Sequence, residues 1–243
     1  MKLFLFFDFD GTLTPMTSSP DSAVLAPETK ELLKKLSCRP GVKIAIVSGR
    51  SLRDLKKKVG VPGLVYAGSH GFDIEGCGIR YSVPIRKPTK TILDTIDRKL
   101  RVLTAGIRGV LVEHKGAGVT FHYRMVQPSK VPAVKRAFLK FIRPYTQPGK
   151  VRLHTGKDVF EITAPVNWHK GMAVRYILAK HRYKDVLPVY FGDDLNDLAA
   201  FKELEGSGLT VFVGKKRKLP AQFYLRDPKD VVTLLKTVDK IAL

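Results

Sequence analysis

The chain has 243 residues, 44% hydrophobic and 27% charged, so it can bury a sizeable core in one or two domains. Its 43 Lys and Arg against 22 Asp and Glu give a charge of +21, spread along the chain (Lys56-Lys57-Lys58, Lys215-Lys216-Arg217-Lys218) rather than gathered in a tail. Cys38 and Cys77 stand alone, with no CxxC or Cys/His cluster and no apolar run near membrane-span length, which excludes a disulfide framework, a zinc site and a membrane protein and suggests a reducing, cytoplasmic setting.

Residues 3–7 are an unbroken apolar run that ends at Asp8 and Asp10 and turns through Gly11-Thr12-Leu13-Thr14. A run without alternation predicts a strand buried on both faces of a parallel sheet. Residues i and i+2 of a strand face one way, so Asp8 and Asp10 project together if the strand geometry persists. They fall just beyond the strand's carboxyl end, where such sheets carry their chemistry. Taken alone, DxD is equally a solvated turn with a helix cap.

A helix is predicted over 27–36, then a strand over 42–47 ending in Ser48-Gly49-Arg50. A helix over 51–59 and a short strand over 64–66 follow, the latter ending in Ala67-Gly68-Ser69-His70-Gly71. This alternation predicts an α/β fold, a doubly wound Rossmann-like parallel sheet. The rhythm changes after about Gly76. Residues 79–84 are extended, and 89–104 form an amphipathic helix on Ile92, Leu93, Ile96, Leu100 and Leu103. A hairpin of strands 109–115 and 118–124, a helix over 130–142 and strands over 150–154 and 159–163 complete an αββαββ pattern. Residues 83–165 are therefore expected to form an inserted α+β cap domain, and 1–82 with 166–243 the α/β core. The core pattern returns with a helix over 171–181, a strand over 186–192, a helix over 195–203, a strand over 209–213 and a helix over 228–238.

Asp8 is the candidate nucleophile, because a carboxylate can accept a phosphoryl group and split one hard displacement into two easier ones. Asp10 is the candidate general acid for the leaving oxygen and then the base that activates water. Two anions meeting in such a reaction call for a hard divalent cation with oxygen ligands, most simply Mg2+. Ser48 and the backbone of Gly49 and Arg50 suit a phosphate at a helix start, although Ser48 alone also suits a helix N-cap. Lys170 stands at a helix start, where the helix dipole disfavours a cation; it is either plain surface or the partner of an anion. Near the far end, Gly192-Asp193-Asp194-Leu195-Asn196-Asp197 repeats the pattern of an apolar strand ending in carboxylates, as metal ligands or as an N-cap cluster.

DxDGT, a strand-terminal Ser, a helix-start Lys and GDDxxxD occur here in the order of the haloacid dehalogenase superfamily, which the chain resembles over essentially its whole length. The insert resembles that superfamily's C2-type cap. The resemblance implies an Mg2+-dependent phosphatase with Asp8 as nucleophile, Asp10 as acid and base, and Ser48 and Lys170 holding the phosphoryl group. The metal would sit on Asp8, the Asp10 backbone carbonyl and Asp193, supported from behind by Asp194, Asn196 and Asp197.

Three further strings resemble the trehalose-6-phosphate phosphatase family. They are Ala67-Gly68-Ser69-His70-Gly71, Val112-Glu113-His114-Lys115-Gly116 with His122-Tyr123-Arg124, and Gly156-Lys157-Asp158-Val159-Phe160-Glu161. By that resemblance Glu113, Lys115, Arg124, Lys157 and Glu161 contact the substrate from the cap. Ser48, Gly49, Arg50, His70 and Gly71 do so from the core. Glu113 and Lys115 share one strand face, and mixed carboxylate and ammonium groups suit sugar hydroxyls, as they also suit surface charge pairing. Asn196 stands where that family commonly has Thr, in a position more like sucrose-phosphate and related sugar phosphatases. Sucrose 6-phosphate and mannosyl-3-phosphoglycerate are therefore the alternative substrates. The expected partner is a small sugar phosphate, with no membrane, and any coupling to synthesis would involve a separate trehalose-6-phosphate synthase chain. Rivals of a different class are a non-catalytic nucleic-acid-binding protein, which the dispersed charge does not favour, and a sugar-phosphate sensor, although no needed side chain is missing.

Overall fold

A computed structural model describes the chain except for residues 1, 18–19, 157, 182–184, 216–219 and 242–243. The elements run β1 (Lys2–Phe7), α1 (Pro27–Ser37), β2 (Val42–Val47), α2 (Leu52–Val59), β3 (Val65–Gly68), β4 (Asp73–Gly76), β5 (Ile79–Ser82) and α3 (Lys87–Thr104). There follow β6 (Leu111–His114), β7 (Gly118–His122), α4 (Val131–Ile142), β8 (Arg152–Gly156), β9 (Val159–Thr163) and α5 (Lys170–His181). The chain closes with β10 (Val186–Gly192), α6 (Leu198–Glu203), β11 (Leu209–Val213), β12 (Phe223–Leu225) and α7 (Pro228–Lys240).

These elements fall into two compact units, Met1–Ser82 with Trp168–Leu243, and Val83–Asn167. The first holds an eight-stranded sheet in the order β12-β11-β10-β1-β2-β3-β4-β5. Pairing is parallel from β12 to β3 and antiparallel across β3-β4-β5. Both faces are covered, which is why β1 shows no alternation. Leu3, Leu5 and Phe7 pack with Leu33 and Leu36 of α1, Leu55 of α2 and Leu235 of α7. Phe4 and Phe6 pack on the other side with Ala173, Val174 and Ile177 of α5 and Phe201 of α6.

The second unit has a four-stranded antiparallel sheet in the order β6-β7-β9-β8. Its apolar face carries Val112, Val119, Phe121, Phe160 and Ile162 against Leu93, Ile96 and Leu100 of α3 and Val134 and Phe138 of α4. Phe138 stacks on Phe121 and Phe160 at centroid distances of 4.7 and 4.4 Å. Alternation sends the next residues to the opposite face, where Glu113, Thr120, Glu161 and His154 lie in one cross-strand row. Its members are polar, in contrast to the apolar face that packs on α3 and α4.

Two strands lie outside the sequence reading. β4 carries Asp73 and Glu75 and has no apolar signature, yet it makes a hairpin with β5 through Cys77-Gly78. Both turn residues have positive φ (49° and 78°), the twist that matches a two-residue hairpin. β12 is a three-residue edge strand. The helix expected over 195–203 is instead a 3-10 turn (Leu195–Asp197) running into the short α6. Among the described residues no helix is long and apolar enough to cross a membrane.

Candidate active site

β1 lies between β10 and β2, and the chain runs outward from it in both directions, so the β1/β10 crevice is the switch point of the sheet. Asp8, Ser48 and Asp193 follow directly on the carboxyl ends of these strands. The β1 ladder continues one residue further, where the Asp8 backbone N–H donates to the Phe191 carbonyl at 2.9 Å. Asp8 is buried. Its Oδ1 accepts from the Phe9 backbone N–H at 2.6 Å, and its Oδ2 lies 2.7 Å from Lys170 Nζ.

Lys170, the first residue of α5, is 2% exposed, so it is no surface lysine. Its Nζ also donates to Asp197 Oδ1 at 2.8 Å. Asp197 is fully buried and organises the centre. Its Oδ1 accepts the Tyr190 hydroxyl at 2.8 Å, and its Oδ2 accepts the backbone N–H groups of Asp193 at 3.0 Å and Asp194 at 3.2 Å. Two of these bonds fold the 193–194 loop back on Asp197, and Gly192 has no Cβ because one would lie 2.3 Å from Asp197 Cγ. Asp193 accepts from Thr12 Oγ1 at 3.3 Å. A Cβ on Gly11, whose φ is +86°, would sit 2.0 Å from Asp193 Oδ2.

Asp8, Asp193 and Asp197 each present an oxygen within 4.8 Å of the others. Burial pushes Asp8 well above its ordinary value; Lys170 opposes this, and Asp197 and Asp193 add to it. Burial and the Asp197 charge push Asp193 up to about 7 against the pull of Lys170. Lys170 is raised too: burial disfavours its charge, but Asp197 and Asp8 outweigh it and hold the ammonium protonated. The centre thus holds more carboxylate than one ammonium can balance, and its all-oxygen donor set fits a hard divalent cation. Asp197 already accepts four donors, which leaves Asp8 and Asp193 as the side chains best placed to reach a metal.

Asp10 has different company. Regular strand geometry ends at Phe7, so Asp10 does not share Asp8's surroundings. Its Oδ2 and Oδ1 accept from Arg50 Nε and Nη2, both at 2.7 Å. Arg50 Nη1 donates to Asp54 Oδ2 at 2.7 Å, and its guanidinium lies 5.3 Å from the Phe9 ring centroid. Ser48 is buried and its Oγ accepts from the Arg50 backbone N–H at 3.2 Å. It does not cap α2; Ser51 does, accepting from Asp54 N at 3.3 Å.

The 69–71 turn is tied to this loop by backbone bonds, Ser69 N to Arg50 O at 2.6 Å and His70 N to Ser48 O at 2.8 Å. Ser69 and His70 both hold left-handed backbone (φ 50° and 58°), a local strain of the kind that functional loops store. The His70 ring covers Gly49, where a Cβ would come within 2.8 Å of it, and Gly71 O accepts from Trp168 Nε1 at 2.8 Å. Asp194 and Asn196 pair with each other: Asp194 Oδ1 accepts from Asn196 N at 2.6 Å and Oδ2 from Asn196 Nδ2 at 3.3 Å. Asp194 is thus the cap of the 3-10 turn.

In the second unit, Glu113 Oε2 lies 3.5 Å from Lys115 Nζ and 3.4 Å from His122 Nε2. Burial works to raise the Glu113 carboxyl, but His122 and Lys115 outweigh it and hold it below its ordinary value. Arg124 Nε is 3.8 Å from Asp158 Oδ2, and Glu161 sits opposite Thr120 on the polar face. Lys157 lies outside the described residues.

Tyr190, Thr12, Asp54 and His122 join these clusters without having been singled out in the sequence. Thr12 and His122 stood inside the motifs themselves, and Tyr190 carried a signal of its own, since a tyrosine inside an apolar strand must find a partner for its hydroxyl.

The trehalose-phosphatase family profile matches residues 6–227. Trehalose-phosphate phosphatase of Mycobacterium tuberculosis is 36% identical over 213 residues, covering 86% of this chain and 53% of that protein. Trehalose-phosphate phosphatase B of Arabidopsis thaliana is 34% identical over 245 residues, covering 95% of this chain and 64% of the relative. The chain therefore spans between half and two thirds of the length of these relatives. In fold it is similar to the C-terminal domain of Candida albicans trehalose-6-phosphate phosphatase, with a TM-score of 0.79 at 22% identity over 99% of this chain and 93% of that one. A trehalose-6-phosphate phosphatase related protein gives 0.78, also at 22% identity, over 97% and 96% of the two chains. A profile spanning both ends of the core, together with the Asp8–Lys170–Asp197 centre on which those ends converge, leads to one conclusion: the chain belongs to the trehalose-phosphatase family.

Proposed function

We propose that this chain is an Mg2+-dependent phosphoric monoester hydrolase that converts trehalose 6-phosphate to trehalose and phosphate. The observation that carries the reading is the buried pairing of Asp8 with Lys170 at 2.7 Å, at the end of the central strand and beside Asp193. Asp8 attacks phosphorus, forming an aspartyl-phosphate while the bond to the sugar oxygen breaks. Asp10 supplies the proton that the sugar oxygen needs, then takes one from the water that releases phosphate from Asp8. Lys170 and Ser48, with the backbone of Gly49, hold the phosphoryl group at the strand ends. The Asp8 and Asp193 carboxylates and the Asp10 carbonyl would hold Mg2+, which would supply positive charge that favours ionised Asp8 beside a phosphate dianion. In the cap, Glu113, Lys115, Arg124, Lys157 and Glu161 recognise the disaccharide hydroxyls. The polar face of the small sheet, which carries Glu113 and Glu161 in one cross-strand row, supports that assignment for those two.

The test is phosphate release from trehalose 6-phosphate beside sucrose 6-phosphate, mannosyl-3-phosphoglycerate and glucose 6-phosphate, with Mg2+ and with EDTA. Selective, EDTA-sensitive release from the trehalose ester, lost in Asp8→Asn, is expected. Preference for another ester would discard the trehalose assignment and keep the mechanism.

A further inference from the structure

We infer that Arg50 is a positioning residue for the acid–base step, acting through Asp10, rather than a ligand of the substrate phosphate. The inference rests on the phosphatase reading above and assigns Arg50 a role within it. Arg50 Nε and Nη2 form a two-pronged fork on Asp10, one bond to each carboxylate oxygen at 2.7 Å. Planar pairing of this kind fixes a carboxylate in both distance and orientation. The guanidinium is itself held beyond that fork: Nη1 is bound to Asp54 and one face lies near the Phe9 ring. The residue's backbone carbonyl accepts from Ser69 N at 2.6 Å. The Arg50 side chain is 9% exposed and those of Asp10 and Asp54 are 31% and 32% exposed, so the cation is enclosed while the carboxylates reach outward. Three nitrogens of the guanidinium are thus committed to Asp10 and Asp54, whereas Lys170 stands beside Asp8, the carboxylate that phosphorus must reach.

The consequence is mechanistic. In the first half-reaction the Asp8 O–P bond forms, the P–O bond to the sugar breaks, and the Asp10 carboxyl passes its proton to the departing oxygen. In the second, water oxygen bonds to phosphorus, the Asp8 O–P bond breaks, and the Asp10 carboxylate takes the proton. Both transfers need Asp10 oriented toward the phosphoryl position, and Arg50 with Asp54 supplies that orientation.

Arg50→Lys keeps the charge and loses the fork; Asp54→Asn keeps Arg50 and loosens its anchor. Each is assayed with saturating Mg2+ on 4-nitrophenyl phosphate, whose leaving group needs no proton, and on the preferred sugar phosphate, whose leaving group does. We expect Arg50→Lys to lower kcat/KM for the sugar ester by about 100-fold, the scale of general acid catalysis. For the aryl ester the change is expected to stay within a few-fold. A pre-steady-state burst of nitrophenolate is expected as well, because water attack on the aspartyl-phosphate still requires Asp10. Combined with Asp10→Asn, the Arg50 change is expected to cost nothing more. Asp54→Asn is expected to show the same contrast more weakly, and it decides the matter if Arg50→Lys fails to fold. Equal losses on both esters with a raised KM would make Arg50 a phosphate ligand and overturn the inference, as would unchanged kinetics on both. Absence of turnover of every ester by the unaltered chain would instead overturn the phosphatase reading, and this inference with it.

Discussion

Asp197 shows how much of this centre depends on one side chain that never needs to touch substrate. Its two oxygens hold a cation, a phenol and two backbone N–H groups, and it is fully buried. Asp197→Asn puts an amide donor against those donors and leaves Lys170 with one anion fewer. Breaking a buried pair of this kind costs about 3–5 kcal/mol, to be read from urea denaturation. Tyr190→Phe removes a single hydrogen bond and is expected to cost only about 1 kcal/mol. Asp193 gives a pH prediction. Its folded value of about 7 lies above the ordinary 3.8, so the metal-free folded state keeps a proton that the unfolded chain has already lost. Stability without metal therefore falls as pH rises from about 4 to about 7 and levels off above that. The slope is expected to flatten in Asp193→Asn and on adding Mg2+, which replaces the proton; thermal unfolding in EDTA and in Mg2+ measures both.

At the scale of elements, the turns after β1 and β10 are shaped by what they must leave room for. Gly11→Ala places a methyl group against the Asp193 carboxylate and forces an L-residue to a φ of +86°. We expect an order-of-magnitude rise in the Mg2+ concentration for half-maximal activity, with a stability loss of about 1–3 kcal/mol. In the small sheet, Phe138 is the ring on which Phe121 and Phe160 stack, so Phe138→Ala is expected to cost about 3–5 kcal/mol. Helix starts other than that of α6 were legible to within a residue or two: Pro27, Pro132 and Pro228 sit in first turns. β4 and β12 were not, because one is polar and the other three residues long. Strands at or near a sheet edge are defined by a neighbour's hydrogen bonds, and nothing in their own composition announces them.

At the scale of the molecule, each unit has a core of its own, and the proposed chemistry draws on the strand-end crevice of one and on the polar sheet face of the other. Glu113→Gln with Glu161→Gln is expected to raise KM for the trehalose ester by tenfold or more and to leave 4-nitrophenyl phosphate turnover near normal. A proportional loss on both esters would remove the sugar-recognition role. The sequence by itself determined the α/β core, the inserted α+β segment and the strand ends that carry Asp8, Ser48 and Asp193. Those features are local: apolar runs, turns and motifs that each occupy a few neighbouring residues. Only the tertiary structure decided that Lys170 is buried between Asp8 and Asp197, and that Arg50 holds an aspartate 40 residues away. Charged side chains look alike in a sequence whether solvated or buried. What separates them is the charge that folding brings within 3 Å, because at such distances a buried ion must be paired or neutralised.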